Sequence, residues 1–394
     1  MHIALPSAVM TALKKLNMAG FEAYAVGGCV RDSLMGKMPC DWDITTSATP
    51  QETASVFADY RTIETGLRHG TLTVVLDDIP LEITTFRLEG AYSDGRHPDS
   101  VSFSQSLSDD LQRRDFTINA MAYHPDPGLI DLYDGRRDLS NAVIRCVGKP
   151  DKRFEEDALR IIRALRFAAV LDFSIEESTD AALRRHSPTL SKVSVERITT
   201  ELSKLLCGKA AERIFNEHSA VIRQVIPELS EESHYRLLSF VESIPIARFA
   251  ALLWDSNLSA ERAESILRRL RLDNHTIRSV THLITCQNMP YNDQRELLWL
   301  LNRLDTDLIW HFLALCEADK ATHDRVERLL NDGCCYKLSM LAINGTDLKE
   351  IGICSGPAVG ETLHALLEAV INGNCPNTRQ NLLQYATEIK KPVQ

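Results

Sequence analysis

Apolar residues in the first third of the chain come in short runs, spaced as strands are spaced. Residues 21–26 form one such run, 71–76, 81–86 and 101–103 are β-rich, and 41–45 alternates polar with apolar positions. Together they predict a mixed sheet of about five strands with helices packed on it. Residues 30–35 read as the start of a helix. Another helix begins at Thr49-Pro50-Gln51-Glu52, a capping box with proline at the first helical position. Residues 129–135 read as a strand and turn, and the polar run Arg113-Arg114-Asp115-Phe116-Thr117-Ile118-Asn119-Ala120 leads into a helix. Beyond about residue 141 strand signals vanish. Helical periodicity takes over, as at 158–171, 195–206 and 260–272. The predicted class is α+β: a mixed-sheet N-terminal part followed by an all-α remainder.

At 394 residues the chain is too long for one ordinary core, so two to four modules are expected. No apolar run reaches the length of a membrane span, and the N-terminus lacks a cationic start followed by an apolar stretch. The ten cysteines are scattered without CxxC pairs, and Cys334 and Cys335 are adjacent. Free thiols in a reducing cytoplasm are the reading this supports.

The chemistry-bearing segment is Gly27-Gly28-Cys29-Val30-Arg31-Asp32, followed closely by Asp41-Trp42-Asp43. A glycine pair between strand and helix lets backbone approach a phosphate closely, and a helix N-terminus favours anions. In an extended stretch Asp41 and Asp43 point to one face, with Trp42 and Ile44 opposite. Paired hard oxygen ligands suit magnesium, which takes carboxylates, water and substrate phosphates. Glu82, flanked by apolar residues in its strand, is a candidate third carboxylate.

These segments, with Arg153-Phe154-Glu155-Glu156-Asp157-Ala158-Leu159-Arg160 at the opening of a long helix, carry a resemblance. The chain resembles the class II tRNA nucleotidyltransferase and poly(A) polymerase family, among the polymerase-beta-like nucleotidyltransferases. The likeness is strongest over residues 21–205 and returns at 341–347 and 356–361. It implies a catalytic head (1–140), a neck that recognises the base (141–205), and a body (206–320) and tail (321–394) that bind tRNA. It implies addition and repair of the 3′-terminal CCA of tRNA from CTP and ATP, with Mg2+ as cofactor, no protein partner and a cytoplasmic setting. A poly(A) polymerase, a CC-only or A-only enzyme, and a silent RNA-binding protein remain the alternatives.

Residue by residue, the resemblance implies Asp41 and Asp43 as metal ligands, with Glu82 helping the attacking hydroxyl. Gly27, Gly28 and Arg31 hold the triphosphate, and Asp32 orients Arg31. Arg114, Asp115 and Asn119 read the ribose and brace the site. Asp157 and Arg160, three apart on a helix, would share one face. Cytosine and adenine both offer an amino donor beside a ring-nitrogen acceptor, which a carboxylate beside a guanidinium complements. Uracil and guanine offer the reverse. Glu156 braces Arg160 or a neighbour such as Arg163. Residues 88–99 resemble the family's flexible loop, associated with the switch from C to A addition.

The net charge of −10 is no bar to RNA, because local fields decide. Residues 145–214 carry more Lys and Arg than Asp and Glu, including Arg166, Arg184 and Arg185, and Arg268, Arg269 and Arg271 form another cluster. Cys29 is not expected to be catalytic. His323-Asp324 lacks the further His and Asp spacing of a metal phosphohydrolase and reads as a chance dipeptide.

Overall fold

The computed structural model describes residues 2–64, 66–67, 70–89, 101–353 and 356–390. They divide into two compact units, residues 1–231 and 232–394.

Up to residue 140 the described residues of the first unit form nine short strands: β1 Ala23–Val26, β2 Asp43–Thr46, β3 Arg61–Ile63, β4 Thr71–Leu76, β5 Ile79–Thr85, β6 Arg87–Glu89, β7 Val101–Phe103, β8 Met121–His124 and β9 Gly128–Asp131. Seven of them form one sheet in the order β3-β4-β5-β2-β1-β8-β9. Every pairing is antiparallel except β2 with β5, whose register sets Asp43 beside Glu82 and Ile44 beside Ile83. Strand alternation sorts the faces. Ala23, Ala25, Ile44, Ile83 and Tyr123 join the core with α1 (Ser7–Met18), whereas Val26, Phe86 and Ala122 pack with Leu107 and Leu111.

The sheet departs from expectation in several places. β7 pairs with β6 in a separate ribbon, not in the main sheet. β3, β8 and β9 complete the seven. β8 is buried at all four residues and so shows no alternation to read, and β3 is only three residues long. The polar run from Arg113 leads into one 3-10 turn, Thr117–Asn119, and then straight into β8. Past residue 141 one strand pair survives, Val143–Ile144 parallel to Ser174–Ile175.

The helices of this unit continue with α2 Gly28–Leu34, α3 Pro50–Val56, α4 Leu107–Gln112, α5 Gly135–Ser140, α6 Pro150–Glu156, α7 Leu159–Leu171, α8 Glu177–His186 and α9 Val195–Leu206. The capping box at Thr49 forms as the sequence predicts. The predicted helix over 158–171 is α7, with Leu159, Ile162 and Leu165 buried. It is not continuous with α6. Asp157 is extended, at φ −146° and ψ 105°, and its carboxylate accepts the Leu159 N–H at 3.0 Å. Asp157 and Arg160 therefore do not share one helix. An aspartate that caps the next turn ends one helix and starts another.

α6 and α7 hold the segment between α4 and the 3-10 turn. Arg153 donates to the Gln112 carbonyl at 3.1 Å and Arg160 to the Arg113 carbonyl at 3.1 Å. Arg163 grips the Asp115 carboxylate with Nε at 2.9 Å and Nη2 at 2.5 Å. Phe116 meets Phe167 edge to face, with centroids 5.7 Å apart.

The second unit is helical. Four of its helices open on a residue whose side chain accepts a backbone N–H three positions on: Ser259, Asp273, Asp293 and Asp319. Phe249, Leu252, Leu267, Val280, Leu283 and Phe312 lie in its interior. His323 sits in the helix Lys320–Asn331 and stacks on Trp310. Among the described residues no group of three or more His, Cys, Asp or Glu could by itself hold a metal ion. Among the described residues no helix is long and apolar enough to cross a membrane.

The Asp115–Arg163 pair gives acid stability a definite sign. Burial pushes the Asp115 carboxyl up, but Arg163 outweighs it and the net value falls to about 2. The contribution is present above the ordinary carboxylate pKa and is lost as pH falls towards about 2. Unfolding free energies from urea titration of the parent and Asp115→Asn should therefore converge by about 2 kcal/mol between pH 6 and pH 2. A gap that stays constant over that range would refute the assignment.

Candidate active site

The end of the sheet where β1 runs into α2 gathers the predicted residues. Gly27 takes φ +84° and ψ −131°, a conformation that residues with a side chain rarely adopt. A Cβ there would come within 3.0 Å of Arg114 Nη1 and 4.0 Å of an Asp43 carboxylate oxygen. The turn, the cation and the carboxylate therefore converge on one spot, and Gly27 leaves the room for it.

Asp43 opens β2, and Asp41 precedes the strand instead of lying within it. The facing still holds, because Trp42 and Ile44 are buried on the opposite side. Glu82 lies directly across the parallel ladder from Asp43 and is solvent-exposed. Parallel partners project to the same face about 4.8 Å apart. Burial, then Glu82 and then Asp41 push the Asp43 carboxyl up to about 6, with Arg114 pulling the other way. Three acids at one strand end are a like-charge cluster that a cation would relieve.

Arg114 is set by Asp110, a fully buried carboxylate on α4. Asp110 accepts from Arg114 at 3.0 Å, from Arg113 at 2.6 and 2.9 Å, and from Thr45 of β2 at 3.1 Å. Burial raises this carboxyl, yet Arg114 and Arg113 hold it below the usual range. Arg114 Nε is buried without a hydrogen-bond partner.

A second chain of contacts runs from the glycine turn to α7. Arg31 donates to Asp32 at 2.8 Å and to Asn119 Oδ1 at 2.7 Å, so Asp32 does orient Arg31. Asn119 in turn donates to Asp115 at 3.2 Å, and Asp115 accepts from Arg163. Asn119 is a buried link between the turn and α7. Glu156 binds Arg160 at 2.5 Å and Arg153 at 2.6 Å, whereas Arg163 is held by Asp115 and by Glu201 of α9 at 3.6 Å. Of the two arginines Glu156 was expected to brace, it braces Arg160. Asp157 is paired with Arg197 at 2.7 Å, and its carbonyl accepts the Arg160 N–H at 3.0 Å.

Sequence reading missed Asp110, Arg153, Arg197 and Glu201 as members of this network. The spacing of Asp110 to Arg113 and Arg114 was a usable signal, since i,i+3 and i,i+4 residues are neighbours on a helix. Arg197 and Glu201 reach their partners only through the tertiary packing of α7 on α9, which no local spacing announces. Cys29 is buried against the Val26 carbonyl, and its thiol is pushed up to about 11, first by burial. It is no nucleophile. The loop expected at 88–99 falls on residues 90–100, which lie outside the described residues, apart from its first two positions in β6.

Three family models match the chain. Residues 23–145 match the poly A polymerase head domain, 172–233 an RNA and SrmB-binding site of polymerase A, and 245–386 the second domain of tRNA nucleotidyltransferases. The CCA-adding enzyme of Enterococcus faecalis is 38% identical over 95% of this chain and 94% of its own length. That of Pediococcus pentosaceus is 36% identical over 96% of this chain and 97% of its own. The crystal structure of the Bacillus stearothermophilus CCA-adding enzyme in complex with CTP superposes with a TM-score of 0.82 at 32% identity, covering 97% of this chain and 96% of that one. A glycine turn, a facing acid cluster and an arginine-bound helix pair, in a chain this similar to those enzymes along nearly its whole length, place it in the bacterial CCA-adding branch of the class II tRNA nucleotidyltransferase and poly(A) polymerase family.

Proposed function

We propose that the chain adds C, C and A in turn to the 3′ end of tRNA, using CTP and ATP without a nucleic-acid template. The observation that carries this reading is the parallel register of Asp43 with Glu82 beside the Gly27 turn and Arg114. In each addition the primer 3′-oxygen bonds to the α-phosphorus of the triphosphate, and the bond to the departing pyrophosphate breaks. Arg31 and the backbone at Gly27 and Gly28 hold the triphosphate, and Arg114 faces it from beside Asp43. Glu82 is placed to take up the hydroxyl proton or to orient the hydroxyl. Asp115 and Asn119 position Arg31 and Arg163.

Asp41 and Asp43 are the residues that would hold Mg2+. The donor set fits: magnesium takes one or two carboxylates and completes its shell with water and substrate phosphates, so a full protein cage is not required. The crowding that lifts Asp43 to about 6 is the charge such an ion would neutralise. When bound, the metal acidifies the attacking hydroxyl and offsets charge on the leaving group.

Base choice is assigned to Asp157 and Arg160. They do not share a helix, but a backbone bond keeps the two residues close, and each head has its own clamp, Arg197 on Asp157 and Glu156 on Arg160. A carboxylate beside a guanidinium pairs with the amino donor and ring acceptor of C and A. Against U or G it leaves buried polar groups unpaired, at a cost of roughly 1–3 kcal/mol each. The four-part division at 140, 205 and 320 is proposed as a finer partition, with body and tail binding the tRNA. A poly(A) polymerase on the same scaffold is the competing reading. Sequencing the 3′ ends made from tRNA lacking its last three nucleotides, with CTP and ATP supplied singly and together, separates the two. Runs of A without C would overturn the proposal.

Asp41→Ala and Asp43→Ala are each expected to abolish addition of every nucleotide while tRNA binding in a filter assay changes less than about threefold, because chemistry rather than the RNA surface is removed. Activity surviving at saturating magnesium would sink the metal assignment. Gly27→Ala forces a Cβ onto Arg114 in a backbone region costing roughly 1–3 kcal/mol, so kcat/KM for CTP and ATP should fall together, by about tenfold or more. A normal kcat/KM for either nucleotide would contradict that placement. Asp157→Ala should admit UTP and GTP in mixed-triphosphate competition more than it weakens CTP binding. Continued exclusion of UTP and GTP would end the amino-acid template reading.

A further inference from the structure

Phe167 of α7 is approached by three guanidinium groups. Arg166 stacks at 3.9 Å from the ring centroid, Arg31 lies at 5.3 Å and Arg163 at 5.5 Å. Arg31 comes from α2, just after the glycine turn, while the other two precede Phe167 on α7. The ring is 6% exposed and meets Phe116 edge to face. A pure packing residue has no reason to collect three cations. An aromatic face attracts a guanidinium within about 6 Å, and more strongly when water is excluded.

The charges around the ring explain why a platform is needed. Three like charges converging on one spot repel unless they are spaced and offset. Asp32, Asp115 and Glu201 supply the offset, with Glu201 reaching Arg166 at 2.8 Å and Arg163 at 3.6 Å. Yet Arg166 Nε and the facing Glu201 oxygen are both buried without an aligned hydrogen bond. The carboxylate balances the charge of Arg166 from one side, and the ring face meets its guanidinium at 3.9 Å.

We propose that Phe167 is a positioning residue for nucleotide binding. Its ring is the shared surface that registers Arg31 of the glycine turn against Arg163 and Arg166 of α7, so that the two sides grip a nucleotide as one rigid set. This rests on the nucleotide-binding reading of that site. The role is electrostatic, carried by the electron density of the ring face, and it should act on triphosphate binding and leave the chemical step alone.

Fluorinated phenylalanines test it, because fluorine drains the ring face with little change in shape. The full chain is made with phenylalanine, 4-fluoro-, 3,5-difluoro- and pentafluorophenylalanine at position 167. Dissociation constants for CTP and ATP are measured by calorimetry, with kcat for C addition and the melting temperature alongside. The expected result is a stepwise weakening of binding of both nucleotides, reaching about tenfold or more at the pentafluoro end, with kcat held within about twofold. Phe167→Leu should match the pentafluoro value and Phe167→Tyr should recover most of the affinity. Dissociation constants that stay flat across the series overturn the proposal, whether or not melting temperature falls, since Phe167 would then serve packing alone. If the unsubstituted protein adds no nucleotide while binding still grades with fluorination, the proposed function fails and the positioning role stands.

Discussion

Parallel pairing of β2 with β5 is the constraint on which the site depends. Every other ladder in the main sheet is antiparallel, and this one alone sets Asp43 and Glu82 side by side at the same level. A slip of either strand by one residue would turn its carboxylate into the core that Ile44 and Ile83 now fill and part the two acids. The apolar residues between the acids therefore enforce their alignment. Burial of Trp42, Ile44, Leu81 and Ile83 pins the register, and the register places the charges.

Around that sheet end, buried ion pairs do the positioning. Asp110 ties Arg113 and Arg114 to β2 through Thr45, and Asp115 ties Arg163 to the glycine turn through Asn119 and Arg31. Buried pairs are weak contributors to net stability, because desolvation offsets their attraction, but breaking one leaves an uncompensated charge. Such pairs suit fixed directions better than stability. Helices α6 and α7 are held to the end of α4 by arginines that donate to the Gln112 and Arg113 carbonyls, so Arg153, Arg160 and the Asp110 cluster belong to one network.

What the sequence made legible follows local chemistry. The Gly27 turn, the capping box at Thr49 and the same-face placement of Asp41 and Asp43 could be read because each depends on neighbouring residues or simple alternation, whereas the register that sets Glu82 beside Asp43 belongs to the strand pairing. β8 escaped because all four of its residues are buried, and β7 was drawn into the wrong sheet because propensity does not name a partner. The helix break at Asp157 was hidden by an unbroken helical pattern. Only the carboxylate capping Leu159 betrays it. Glu201 and Arg197 act across helices, at a distance no motif records.

Cys29 carries a consequence for the charge of the whole sheet end. Its sulfur lies behind the turn, 3.3 Å from the Val26 carbonyl and 3.9 Å from that of Asp43. The same dry surroundings that lift the Asp43 carboxyl to about 6 lift this thiol to about 11. One group still ionises near neutrality and the other does not. The interior side of the turn stays electrically silent, and the negative field at this end comes from the three carboxylates that face outward. The low-dielectric backing thus directs that field to one side, towards whatever cation and nucleotide approach.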